Sequence, residues 1–195
     1  DNLENDPLRT TTTQRLMTTS HGFQFRSGTS VNFSASINTA LGKPRTALDN
    51  QTTIAGLGLS QSFGRHSAAM SVQMSQFRDK NKLAHDLDTA TLALSTSFTL
   101  PSKASLSFGL SRSESKDKFD GSKRSTLSVS PSYSKRLKPN VVGQLWGTMT
   151  QSKNTSPTSR ADSSATTLNT EATWAKTQQM NLTFGVGYNS VKEKV

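Results

Sequence analysis

Hydrophobic and polar residues alternate with a period of two along most of the chain. Residues 31–38 read VNFSASIN and residues 182–188 read LTFGVGY, and the segments 92–98, 105–110 and 127–133 repeat the pattern. Successive side chains of a β-strand point to opposite faces, so this alternation predicts strands with one apolar and one polar face. Helical spacing fits none of these segments.

The alternation predicts an all-β protein of about ten antiparallel strands. They are expected at residues 13–26, 29–40, 51–63, 67–77, 89–100, 104–113, 125–134, 140–151, 164–175 and 179–190. Tight turns are expected at Ser27-Gly28, Gly64-Arg65-His66, Pro101-Ser102-Lys103, Lys135 to Pro139 and Thr177-Gln178, and longer loops near 41–50, 78–88, 114–124 and 152–163. Strict alternation of short and long connections is typical of an up-and-down meander whose short turns all lie at one end. We therefore expect one barrel domain over residues 13–191, a polar linker at 1–12 and a charged tail at 192–195.

Charged residues avoid the centres of these strands. Only 31% of residues are hydrophobic and no apolar run reaches the roughly 18 to 20 residues of a membrane-spanning helix. Asp, Glu, Lys and Arg are nevertheless absent from seven windows, at 28–42, 50–64, 66–77, 89–102, 125–134, 139–152 and 177–191. A tilted strand crosses the hydrocarbon layer in about 9 to 11 residues, and a charge facing lipid at mid-depth costs about 2 to 4 kcal/mol. The windows thus favour strands that span a membrane.

Five aromatic residues recur on the apolar parity of alternate strands, close to the short turns. They are Phe25, Phe63, Phe98, Tyr133 and Trp174. Aromatic rings collect at membrane interfaces because they are apolar in body and tolerate a wet edge. We predict that these residues form a lipid-interface girdle; the alternative is that they close one end of a sandwich core.

Basic residues without acidic partners lie just beyond this predicted girdle. This basic collar comprises Arg26, Arg65, Lys103, Lys135, Arg136, Lys138 and Lys176. The net charge of +10 is spread over the collar and the mixed-sign long loops rather than along one groove with stacking aromatics. That distribution disfavours a nucleic-acid partner and favours lipid phosphates or anionic solutes, with simple solvation of the charges as the alternative.

Little in the sequence indicates chemistry. Glu171 is the one acid inside a predicted strand, on the polar parity, and is expected to face the lumen. The chain has no cysteine, and His21, His66 and His85 lack metal-site spacing. The His85-Asp86-Leu87-Asp88 loop carries groups that omptin-type proteases use, but no second acidic cluster accompanies it. We expect no catalytic residues, no metal and no cofactor.

Strand alternation, unequal loops, girdle and charge exclusion together resemble the bacterial outer-membrane β-barrel class over about residues 13 to 191. The resemblance implies a non-enzymatic pore, translocation channel or membrane anchor whose partners are membrane lipid and other envelope subunits or further strands of a larger barrel. Two features depart from the class: both ends of the chain fall on the long-loop side, and the last residues are Lys192 to Val195 rather than a terminal aromatic. The open alternative is a soluble extracellular β-sandwich or fibre subunit that binds a partner.

Overall fold

The chain folds as one antiparallel sheet of ten strands that follow one another in sequence order. The computed structural model describes residues 11–43, 49–81, 86–175 and 181–194. The strands are β1 (Thr11–Gln24), β2 (Thr29–Lys43), β3 (Asp49–Phe63), β4 (His66–Asp79), β5 (Leu87–Thr99), β6 (Ala104–Asp117), β7 (Lys123–Lys138), β8 (Val141–Thr155), β9 (Arg160–Ala175) and β10 (Asn181–Lys194). The predicted ten-strand meander is confirmed. In these ranges no helix has the length and apolar character needed to cross a bilayer.

Several strands are longer than predicted at the long-loop end. Strand β6 runs to Asp117, and β9 begins at Arg160. Lys116 pairs with Lys123 across β6 and β7, because backbone N–H and C=O groups continue the ladder whatever the side chains are. Only residues 118–122 connect β6 to β7, and only residues 156–159 connect β8 to β9. The contrast between short and long connections is therefore smaller than we predicted.

Two predicted turns also need correction. His66 is the first residue of β4, and Lys135 and Arg136 lie inside β7, which turns only at Pro139 and Asn140 after a register shift between Arg136 and Lys138. Among the described residues, the strands run from Thr11 to Lys194. The predicted turn at Thr177-Gln178 lies outside the described residues.

The sheet is a single layer without an apolar core. In the described part of the chain, Ala104 is the one hydrophobic residue that is buried. Large apolar side chains are exposed instead, with Phe184 at 67% and Val186 at 73% of their full accessibility. Each interior strand pairs with both sequence neighbours, while no pairing among the described residues joins β1 to β10, so the sheet is open. Nothing in this arrangement removes the apolar side chains from solvent.

Candidate functional site

The strand register brings most of the large apolar residues, from all ten strands, to one face of the sheet. Leu94 on β5 pairs with Met70 on β4 and Leu110 on β6, and cross-strand partners share a face. The same row continues through other large apolar residues on both sides, namely Leu59, Val31 and Phe23 in one direction and Val129 and Met149 in the other. We call this the apolar face. It exposes large apolar side chains on every strand from β1 to β10, whereas soluble monomers rarely expose a contiguous apolar patch of more than a few hundred Å².

The opposite face, which we call the polar face, carries hydroxyl groups in rows across the strands. Ser95 belongs to it and pairs with Ala69 and Gly109. Hydroxyl pairs bridge adjacent strands on this face: Ser105 and Ser134 are 2.8 Å apart, Ser30 and Ser60 2.5 Å, Thr91 and Ser113 3.3 Å, and Ser128 and Thr150 3.3 Å. Small hydroxyl residues form hydrogen bonds with one another at these positions, so this part of the face is polar without being charged.

The five predicted girdle residues all lie on the apolar face at the short-turn end. Phe63 pairs with His66, which pairs with Phe98, and the row continues through Leu106 to Tyr133. Trp174 pairs with Val141 on β8, and the Phe25 amide donates to the Thr29 carbonyl at 2.8 Å. All five side chains are exposed. Sequence reasoning missed His66, whose ring centroid lies 5.4 Å from that of Phe98.

The predicted collar residues lie at this same end but not all in turns. Arg26, Arg65 and Lys103 occupy the turns themselves, and Lys138 ends β7. Within β7, Lys135 pairs with Ala104 and shares the apolar face, whereas Arg136 follows on the opposite face. Lys176 lies outside the described residues. The structure therefore brings six collar residues to one end of the sheet.

Glu171 lies on the polar face, as its parity predicts. Its cross-strand partners are Gln144 on β8 and Gly185 on β10. Its Oε1 accepts a hydrogen bond from the Thr173 hydroxyl at 3.2 Å, and the side chain is partly buried. The acid is thus held against the sheet by a neighbour on its own strand.

Comparison with known proteins supports this fold. No protein-family model matches the chain, and no curated protein does. Among solved structures, the siderophore receptor PirA from Pseudomonas aeruginosa superposes with a TM-score of 0.81 at 14% identity, over 91% of this chain and 35% of that one. OmpT of Vibrio cholerae with loop L8 deleted, an outer membrane protein, superposes with a TM-score of 0.57 at 11% identity, over 84% of this chain and 58% of that one.

The chain has the fold of outer-membrane β-barrel proteins. At these identities the likeness concerns the fold alone. The chain spans 35% of the receptor and 58% of the OmpT variant, so its strands correspond to part of each barrel wall.

At the long-loop end, ion pairs join the ends of β4 and β5 to each other and to the loop between β6 and β7. Asp88 accepts from Arg78 and from Lys118, the latter at 2.9 Å. The hydrogen bond from Lys118 lowers the pKa of the Asp88 carboxyl, and Arg78 adds to the effect. The Asp79 amide donates a hydrogen bond to the Asp86 carboxylate, and the Lys118 amide donates one to the Asp86 backbone carbonyl, each at 2.8 Å.

These contacts give the acidic residues of the loop a structural role. His85 lies outside the described residues. Across the described ranges, no three His, Cys, Asp or Glu side chains gather as metal ligands.

Trp146 is a residue on the polar face that sequence reasoning missed. It pairs with Ser132 on β7 and Asn169 on β9, while its neighbours in sequence, Leu145 and Gly147, belong to the apolar face. The sequence does carry a signal for this placement. The apolar residues 141, 145 and 149 are at odd positions, whereas Trp146 is a large ring at an even position. Trp146 therefore places a large indole among the hydroxyl groups of the polar face.

Proposed function

We propose that this chain forms the wall, or part of the wall, of a transmembrane β-barrel in a bacterial outer membrane, and that it acts without catalysis as a pore, a translocation channel or the membrane anchor of a larger assembly. One observation carries the proposal. A single-layer sheet exposes its entire apolar face, and that face has no second layer to pack against among the described residues. Lipid is the solvent in which such a surface is stable.

In this arrangement the girdle and the collar have distinct partners. The rings of Phe25, Phe63, Phe98, Tyr133 and Trp174 lie at one membrane interface, and the collar cations beyond them, apart from Arg136 on the polar face, face lipid phosphates. The hydroxyl-rich polar face, with Glu171, lines the lumen. The free sides of β1 and β10 pair with each other, with further strands or with another envelope subunit, because unpaired backbone groups in hydrocarbon cost several kcal/mol each.

The soluble alternative is less consistent with the structure. A β-sandwich buries one face of each sheet against the other across about 10 Å, whereas here the ten strands form one sheet. Exposed apolar side chains such as Phe184 and Val186 would face water in a soluble fibre subunit. We therefore keep the membrane barrel as the proposed function.

Extraction and gel mobility test the proposal. We expect the protein to require detergent for extraction from an envelope fraction and to migrate faster on a cold sodium dodecyl sulfate gel before heating than after it, because a closed barrel resists the detergent. A monodisperse, folded protein in plain buffer would refute the proposal.

A further inference from the structure

The strongest unassigned feature is the indole of Trp146 in the middle of the polar face. The chain has two tryptophans, and the other, Trp174, lies on the apolar face opposite Val141. Among described strand residues, Phe77 is the one other aromatic with the parity of the polar face, and it lies near the long-loop end of β4. Trp146 is five residues into β8 and therefore away from both ends of the strand.

A groove on the polar face runs from Trp146 across β7, β6 and β5. Its volume is about 690 Å³, and most of its lining side chains belong to the polar face. They are mainly hydroxyl and amide groups, including Ser105, Ser107, Ser130, Ser132, Ser134 and Gln144. No Asp, Glu, Lys, Arg or His is among the residues that line it. The volume falls within the range of about 300 to 1,000 Å³ that small-molecule sites occupy.

This lining selects for one chemical class of ligand. A purely apolar ligand would strip water from the serine hydroxyls without replacing their hydrogen bonds. A charged ligand would find no counter-charge in the groove. A pyranose ring suits it, because its C–H face stacks on an indole while its equatorial hydroxyls exchange hydrogen bonds with serine hydroxyls and an amide.

We propose that the groove beside Trp146 binds neutral sugars, with the indole as the stacking platform and Gln144 and the β6 and β7 serines as hydrogen-bonding partners. The inference rests on the proposed barrel function and deepens it, since it names neutral saccharides as the solute class held in the lumen. The indole contacts the sugar on one side and does not enclose it, so binding is weak enough for the sugar to dissociate.

Intrinsic fluorescence tests the site directly. In the full chain refolded in detergent, Trp174→Phe leaves Trp146 as the single indole. We expect titration with maltotriose to give a saturable change in its emission. Choline and galacturonate at the same concentrations should give none, because the groove lacks charge. Trp146→Ala in the wild-type background should weaken maltotriose binding measured by calorimetry at least tenfold, and Gln144→Ala should weaken it severalfold.

Controls separate a lost site from a lost fold. Both variants should keep the heat-dependent gel shift of the parent, and Leu145→Val, on the opposite face, should bind maltotriose as the parent does. An unchanged Trp146 emission, or an equal response to choline, would overturn the sugar site.

Conductance in a planar bilayer distinguishes this inference from the function on which it rests. Ion conductance with no maltotriose response would refute the sugar site and leave the pore. A maltotriose response from a protein that needs no detergent would refute the membrane barrel and support the site.

Discussion

Gly28 and Lys103 occupy the same position in two hairpin turns of the same type. Their amides donate to the carbonyls of Phe25 and Leu100, each at 3.1 Å, and both residues have left-handed backbone, with φ of 81° and 55°. This geometry is the three-residue hairpin loop in which a type I turn is followed by a residue at positive φ. Glycine takes that conformation freely, whereas a side chain costs about 1 to 2 kcal/mol there.

Lys103→Gly should therefore stabilise the protein by about 1 kcal/mol. The reason is that the turn keeps its hydrogen bonds while the strained side chain is removed. Urea unfolding in lipid vesicles, followed by tryptophan emission, measures the change. Gly28→Ala is the matched reverse variant and should destabilise, since its Cβ would also lie 3.1 Å from the Ser62 carbonyl oxygen. Lower stability of Lys103→Gly would contradict the turn assignment.

Leu94→Lys should impair membrane assembly far more than Ser95→Lys. Leu94 lies between Met70 and Leu110 on the apolar face, where an ammonium facing lipid costs about 2 to 4 kcal/mol. Ser95 has the small partners Ala69 and Gly109 on the polar face, which leave room for a lysine. The folded fraction on unheated gels after refolding checks the pair. Equal losses would contradict the assignment of the two faces.

Gly147→Ala should destabilise the sheet by about 1 to 3 kcal/mol. A Cβ at Gly147 would lie 2.9 Å from the Thr167 carbonyl oxygen, and a backbone atom cannot swing aside as a side chain can. Gly58→Ala is the control, because its nearest neighbour would be 3.9 Å away, at Asn32. That variant should unfold at the same urea concentration as the parent or slightly above it. Equal effects from both variants would contradict the tight approach of β8 to β9.

Asp88→Asn should lower stability at neutral pH and lose its effect in acid. The ionised carboxylate holds Arg78 and Lys118, and its pKa is lowered by Lys118 first and Arg78 next. A lowered folded pKa stabilises the protein above the unfolded value of about 3.9, and that stabilisation disappears as the pH falls through the folded pKa. An exposed pair of this kind contributes less than about 1 kcal/mol.

Thermal unfolding in detergent at pH 7 and at pH 3 measures the Asp88 effect. Lys118→Met should give the same pH dependence, since it removes the principal cause of the shift. An equal difference in unfolding temperature between the parent and Asp88→Asn at both pH values would show that the carboxylate charge does not contribute to stability.

The sequence predicts the strands well and their ends poorly, for a physical reason. Alternation such as that of Val31 and Phe33 exists because one face needs apolar side chains, so it identifies the strand and its two faces. Pairing continues past the apolar band, as between Lys116 and Lys123, because backbone hydrogen bonds need no particular side chain. Strand ends outside the band therefore leave no alternation to detect.

In the candidate site, too, some features follow from the local sequence and others depend on how distant strands pair. The girdle residues follow from parity, which local sequence determines. The groove at Trp146 depends on which residues of β5, β6, β7 and β8 become neighbours, and that depends on register. The ion pairs of Asp88 likewise depend on how the loop after β6 meets the loop after β4.

The open edges of β1 and β10 constrain the order of assembly in the proposed barrel. Each edge presents a row of backbone donors and acceptors along a strand of 14 residues, and hydrocarbon offers no water to satisfy them. A half-inserted sheet with both edges bare would be the least stable species on the pathway. In the proposed barrel, we therefore expect the two edge strands to meet their lateral partners before or during entry into the bilayer.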